Sequence, residues 1–282
     1  MGFHKAPNTY TGEVRIKVKD VKRSLAFYKE VIGFNVLNET EHTADLTADG
    51  KNVLLSIEQP PNIAPKQQGT AGLYHFALLL PDRSDLGRVL QHLVHLNIPL
   101  GASDHHVSEA IYLNDPDGNG IEIYSDRDAS KWIWQGSQVA MTTETLDAQG
   151  VLAEAKGEPW HSLPENTVMG HVHLHVSSLK EAEAFYDQGL GFKTVARYGR
   201  QAMFMSTGGY HHHLGLNTWA GEGAPAPAPE SAGLDWFTLI YPDADAVEQA
   251  VARLKNMGAK TFIEDGFVMT ADPSGNRIRL TY

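Results

Sequence analysis

The chain has 282 residues, 42% hydrophobic and 20% charged, the balance of a soluble globular protein long enough for two domains or one large one. Its net charge of −11, with no basic patch or tail, argues against nucleic acid or an anionic membrane as partner. Cysteine is absent, which excludes disulfides and thiolate chemistry; any metal must be held by His, Asp, Glu or carbonyl oxygen, and the 14 histidines favour an ion that accepts imidazole.

The N-terminus has no apolar signal-peptide core, and no apolar run reaches the roughly 20 residues of a membrane span, so the expected address is the cytoplasm. Gly12 to Val18 reads as a strand and is followed by a helix through Ala26-Phe27-Tyr28. That helix ends at Gly33-Phe34, a normal place for glycine. Leu73 to Leu80 and Ile111 to Tyr124 read as buried strands, apolar, rich in β-branched and aromatic residues, and bounded by Pro and Gly. Each carries one metal-capable side chain, His75 and Glu122. A polar group at a core-facing position needs a partner to offset its desolvation; one such histidine is usually a satisfied core residue, but a histidine and a carboxylate in matching strands of one small unit are harder to dismiss. Between them, Arg83 to Leu96 places apolar residues at helical spacing. A short helix is expected near Leu146–Ala155. Gly170 to Val176 is a further strand, and Gly209 to Asn217, with His211, His212 and His213, another. Ala220 to Ala232 carries Pro225, Pro227 and Pro229 and reads as a stiff surface linker, and Ala244 to Met257 as a last amphipathic helix.

The two halves repeat. Gly12-Glu13-Val14 matches Gly170-His171-Val172, Ala26-Phe27-Tyr28 matches Ala184-Phe185-Tyr186, and Gly33-Phe34 matches Gly191-Phe192, all at an offset of 158 (170 − 12, 184 − 26, 191 − 33). Asp115-Pro116 with Gly118-Asn119 matches Asp272-Pro273 with Gly275-Asn276. Four modules emerge, each strand, helix, then three strands, over 12–60, 72–126, 169–220 and 233–282. Segments 127–168 and 221–232 join them.

A duplicated βαβββ module with an Ala-Phe-Tyr helix and an Asp-Pro-x-Gly-Asn turn resembles the vicinal-oxygen-chelate superfamily of glyoxalase I, bleomycin- and fosfomycin-resistance proteins and extradiol dioxygenases. The resemblance covers nearly the whole chain. It implies an α+β fold in which the four βαβββ modules form two incomplete β-barrel domains, with metal ligands on the first and last strands of modules. The first-strand positions here hold Glu13, His75, His171 and Trp236; the last-strand positions hold Glu122 and Arg279. Pairing modules one with two and three with four leaves neither pair with two histidines and a carboxylate. Pairing modules two and three gathers His75, His171 and Glu122, the facial triad suited to non-haem Fe(II). The expectation is therefore that modules two and three enclose the metal, with modules one and four as a metal-free partner barrel.

Within that superfamily the chain is most similar to bacterial catechol 2,3-dioxygenases. Those enzymes carry a tyrosine ten residues before the carboxylate ligand in a Tyr-x-x-x-Pro-x-Gly segment, and Tyr112 stands so placed before Glu122 across Asp115-Pro116-Asp117-Gly118. They also carry a His-His pair on the last strand of the module supplying the first histidine, as in the run 211–213. The departure is module order: the tyrosine–carboxylate module comes first here. The resemblance implies Fe(II), with Mn, Zn or Ni as other divalent candidates, and a small aromatic diol and O2 as substrates. It also allows a homo-oligomer. His213 is expected as acid–base, because it shares strand parity with His211 while His212 faces the other way. Tyr112 is expected to donate a hydrogen bond to a substrate oxygen, with His211 and His106 on the substrate side. The competing readings are a metal-dependent glyoxalase-type lyase or thiol transferase, and a metal-free protein that sequesters an aromatic drug.

Overall fold

Residues 2–282 are described by a computed structural model. The chain opens with β1 (Tyr10–Lys17), α1 (Val21–Phe27), β2 (Asn35–Glu39), β3 (Thr43–Thr47) and β4 (Val53–Glu58). The pattern repeats as β5 (Gly72–Leu79), α2 (Arg83–His95), β6 (Gly101–Asp104), β7 (Ser108–Asn114) and β8 (Gly120–Asp126). The connection carries a small hairpin, β9 (Trp134–Gln135) with β10 (Gln138–Val139), and α3 (Ala148–Glu154). Then come β11 (Val168–His175), α4 (Leu179–Ala184), β12 (Lys193–Tyr198), β13 (Ala202–Ser206) and β14 (Leu214–Asn217). The last unit is β15 (Gly233–Ile240), α5 (Ala244–Asn256), β16 (Thr261–Glu264), β17 (Phe267–Ala271) and β18 (Arg277–Thr281).

Local chemistry sets the helix ends. Asp20, Asp147, Ser178 and Asp243 each accept a backbone N–H of the first turn of the helix that follows them, worth about 1 kcal/mol apiece. The segments after α1 and α4 widen into π turns over Tyr28–Ile32 and Phe185–Gly189. The chain then reverses at Gly33 and Gly191, whose φ of 94° and 90° a side chain rarely adopts.

The strands form two eight-stranded sheets, ordered β16-β17-β18-β15-β1-β4-β3-β2 and β12-β13-β14-β11-β5-β8-β7-β6. The first unit therefore joins the fourth through the antiparallel seam β1–β15, and the second joins the third through β5–β11. Each sheet curls into an incomplete barrel. Period-two alternation decides which side chains enter the core. Val14, Ile16 and Val18 on and just beyond β1, and Val172, Leu174 and Val176 likewise on β11, are fully buried in one contiguous core that serves both sheets. Their neighbours Glu13, Arg15 and Lys17, and His171, His173 and His175, point the other way. The sheets are also tied by a pair of buried hydrogen bonds. Tyr28 Oη donates to Asp115 Oδ2 at 2.8 Å, and Tyr186 Oη to Asp272 Oδ2 at 3.1 Å. Each aspartate uses its other oxygen to accept the backbone N–H groups of its own tight turn. The repeated tyrosine and Asp-Pro turn are thus two halves of one contact. Among the described residues no helix is long and apolar enough to cross a membrane.

Candidate metal centre

Two β-bulges bracket the histidines. On the seam, Met169 pairs with Leu78 and His171 with Ala77, so Gly170 is an extra residue. Further along, His173 pairs with His75 and Leu174 with Leu73, leaving Tyr74 extra. A bulge re-aims the side chain beside it, and these two turn His171, Tyr74 and His75 towards one hollow. Glu122 arrives on β8, parallel to β5 and opposite Ala77. The β7–β8 hairpin sets Tyr112 directly across from Glu122. The ten-residue spacing is that hairpin: the Asp115–Gly118 turn lies between two strands in register.

His75 Nε2 lies 3.0 Å and His171 Nε2 3.1 Å from the same carboxylate oxygen, Glu122 Oε2. The two imidazole nitrogens are 3.2 Å apart. All three residues are buried, and their donor atoms form a cluster able to hold a metal ion. Bonds of about 2.1 Å at right angles to one ion keep neighbouring donors about 3 Å apart. The triad has that spacing. Protonation agrees. Burial holds the His171 imidazole down at about 4, against the pull of Glu122. Burial pushes the Glu122 carboxyl up, but His171 and His75 together outweigh it and leave its pKa well below the usual range. A neutral His171 and an ionised Glu122 are in the forms that ligate a cation at neutral pH. The donor set therefore fits a divalent metal with open positions.

The triad borders a cavity of about 280 Å³, small among small-molecule sites. Tyr74, Phe204 and Trp219 supply aromatic walls, while Tyr112, His105, His173 and His212 supply polar edges. Two hydrogen-bond chains set the tautomers at those edges. Thr142 O accepts from His105 Nδ1 at 2.6 Å, so His105 Nε2 is bare and accepts the Tyr112 hydroxyl, also at 2.6 Å. Asp126 Oδ1 accepts from His211 Nε2 at 2.7 Å, so His211 Nδ1 is bare and accepts from His212 Nδ1 at 2.8 Å. His212 Nε2 then carries a lone pair. Burial, with the neighbouring imidazoles, lowers the His212 pKa well below its ordinary value. His173 Nε2 is buried with no partner, and burial likewise pushes the His173 pKa well down.

Four of the sequence-derived site residues, His75, His171, Glu122 and Tyr112, meet at this cavity; three do not. His213, expected as the acid–base group, does not line the cavity. It is fully buried but turned to the N-terminal segment, with Nε2 3.3 Å from Phe3 O and its ring beside His4. His212 faces the cavity instead, its ring centroid 4.1 Å from that of His171. The reason is local: Gly208 and Gly209 both have positive φ and β14 begins only at Leu214, so strand parity does not apply to the histidine run. His211 also leaves the cavity, to bond Asp126 and stack on Tyr210 at 4.0 Å. His106 sits in a left-handed loop position with Nε2 3.2 Å from Glu144, and its neighbour His105 lines the cavity in its place. Tyr112 also differs in detail: its proton is engaged by His105, so it presents an oxygen lone pair to the cavity. His212, His105 and Tyr74 were legible only in part. The glycine pair before the histidine run signals a broken strand, but the bulge at Tyr74 has no sequence signature.

The sequence matches the family described as the Glyoxalase/Bleomycin resistance protein/Dioxygenase superfamily over residues 11–123 and 168–280. It is 49% identical over 255 residues to a catechol-2,3-dioxygenase of Bacillus subtilis (strain 168), covering 89% of both chains. The fold is similar to that of glyoxalase I from Zea mays, at a TM-score of 0.59 and 15% identity, over 96% of this chain and 92% of that one. It is also similar to the cppA protein from Streptococcus pneumoniae TIGR4, at a TM-score of 0.56 and 13% identity, over 98% and 100%.

Proposed function

The chain belongs to the Glyoxalase/Bleomycin resistance protein/Dioxygenase superfamily, and on that footing we propose that it is an extradiol ring-cleaving dioxygenase of the catechol 2,3-dioxygenase type. Its substrates are catechol or a small substituted catechol and O2. The observation that carries this reading is the buried His75–His171–Glu122 triad, bordering a cavity sized for one aromatic ring, in a chain 49% identical to a catechol-2,3-dioxygenase.

Fe(II) is the ion we assign, held by His75, His171 and Glu122; when bound it supplies open positions and an electron path between a diol and dioxygen. The protein's residues do the rest. Tyr74, Phe204 and Trp219 present ring faces and edges to an aromatic substrate and exclude water. Tyr112, its proton engaged by His105, accepts a hydrogen bond from a diol hydroxyl. His212 takes the acid–base role. Its tautomer, set by His211 and Asp126, leaves Nε2 free to accept a proton from the second hydroxyl, and the lowered pKa keeps it neutral beforehand. The same nitrogen can return the proton as the ring opens. His173 Nε2 offers a further polar contact for a substrate oxygen.

Iron-replete protein mixed with catechol and air should give a yellow ring-opened semialdehyde, followed by visible absorbance. No such product, with turnover of methylglyoxal and a thiol instead, would replace this reading by a glyoxalase-type one. His75→Ala and His171→Ala should each abolish metal binding, whereas Glu13→Ala, in the other sheet, should bind the metal as before. Metal retained in either histidine variant would refute the ligand assignment.

A further inference from the structure

No residue before β5 takes part in the proposed chemistry, yet two side chains of the first unit reach the strand that carries His171. His4 Nε2 donates to Gly170 O at 2.8 Å. Thr11 Oγ1, on β1 of the other sheet, donates to the same carbonyl at 3.2 Å, with Met169 O at 3.4 Å. Gly170 is the extra residue of the β11 bulge and the one before His171. The extra residue of a bulge stands outside the ladder, so its buried carbonyl needs a donor from elsewhere.

His4 is built into this place. It is buried, and its ring meets those of Tyr210 at 4.8 Å and His213 at 5.1 Å edge-on. Its other nitrogen, Nδ1, is buried with no partner, so the contact with Gly170 is the one hydrogen bond this imidazole makes. A carbonyl only accepts, which puts the proton on Nε2. The sheet without ligands has no such pair. The offset of 158 places Ser162 and Met169 where His4 and Thr11 stand (162 − 4, 169 − 11). Met169 carries no donor, and Ser162 lies against Gly33 instead.

We propose that His4, supported by Thr11, is a positioning residue of the metal centre: by holding the Gly170 carbonyl it keeps the bulge in β11 and so keeps His171 aimed at the ion. The proposal rests on His171 being a ligand. Without the donor, the buried carbonyl loses its partner, and the strand gains by drawing Gly170 back into the ladder. A one-residue shift in register turns a side chain to the opposite face of the sheet. The metal must then restore the bulge as it binds, and its affinity falls by that cost.

The test titrates the full chain, stripped of metal by a chelator, with Co(II) and follows the visible bands of the bound ion. His4→Leu, close in size but without a donor, should weaken Co(II) binding about three- to tenfold, the loss of one neutral hydrogen bond, and alter the bands. His4→Gln, whose amide nitrogen reaches as far as Nε2, should bind Co(II) as the unaltered chain does. Urea melts of the metal-free chains check that each variant folds. Lower stability in His4→Leu with unchanged affinity, where His171→Ala abolishes binding, overturns the proposal and leaves the ligand assignment standing. Equal weakening in His4→Leu and His4→Gln also overturns it, because ring packing and not the donor would then matter. Binding retained in His171→Ala refutes the ligand assignment and this proposal together. If His4→Leu does not fold, Thr11→Val decides by the same comparison.

Discussion

At the scale of single residues, the division of labour among adjacent histidines follows from which hydrogen-bond partner each one meets. His212 projects a bare nitrogen into the cavity because His211 and Asp126 consume its other one. His213, one residue on, is spent on the N-terminal segment. His212→Asn should therefore lower kcat by about 10²–10⁴, the usual worth of a positioned acid–base group, with metal content unchanged. His213→Asn should keep kcat and lose stability, since it disturbs a buried contact. Steady-state kinetics with iron content measured on each variant separate the two. Equal loss of kcat in both would remove the distinction. Which histidine of the run faces the cavity was illegible in the sequence because parity counting presumes an extended strand, and this run is not one.

At the scale of elements, strand alternation and bulges share the work. The order His171-Val172-His173-Leu174-His175-Val176 sends apolar residues to the core and imidazoles to the opposite face. That much was visible as pattern. The aim of His171 also depends on the bulge at Gly170, where an added Cβ would overlap the Tyr124 hydroxyl. Tyr124 is itself fully buried and bonded to Tyr210 at 2.7 Å, so it cannot step aside cheaply. Gly170→Ala should shift β11, weaken metal affinity by about tenfold or more and cost about 1–3 kcal/mol of stability. Gly12→Ala, at the matching place in the other sheet, meets the end of the flexible Ile240 side chain and should leave metal affinity as it was. Metal titrations and urea melts of the pair make the comparison; unaltered affinity in Gly170→Ala would show that the bulge does not aim the ligand.

At the scale of the whole molecule, the pairing of second unit with third and fourth with first means that neither half of the sequence owns a complete sheet. The ligands are divided accordingly, His75 and Glu122 before the connection and His171 after it. Residues 2–126 and 127–282 expressed separately should each fail to bind Fe(II) and expose apolar surface, while co-expression should restore a metal-binding complex. A metal site in either half alone would contradict the crossed arrangement. The crossed pairing was expected because the superfamily resemblance implies ligands on the first and last strands of paired modules, and the other pairing leaves no set of two imidazoles and one carboxylate at those positions.

The sequence by itself determined the duplicated strand–helix–strand plan, the buried faces and the turn residues, which depend on side-chain periodicity and on chemistry that residue types carry with them; the triad was named only by adding the ligand positions that the superfamily resemblance implies. Tertiary structure alone decided which histidine of the run 211–213 faces the cavity, that Tyr112 donates to His105, and that Arg279 stacks on Trp236 in the second barrel. Those outcomes turn on bulges, left-handed glycines and tautomers fixed by partners distant in sequence, and a hydrogen bond has no direction until both its ends are in place.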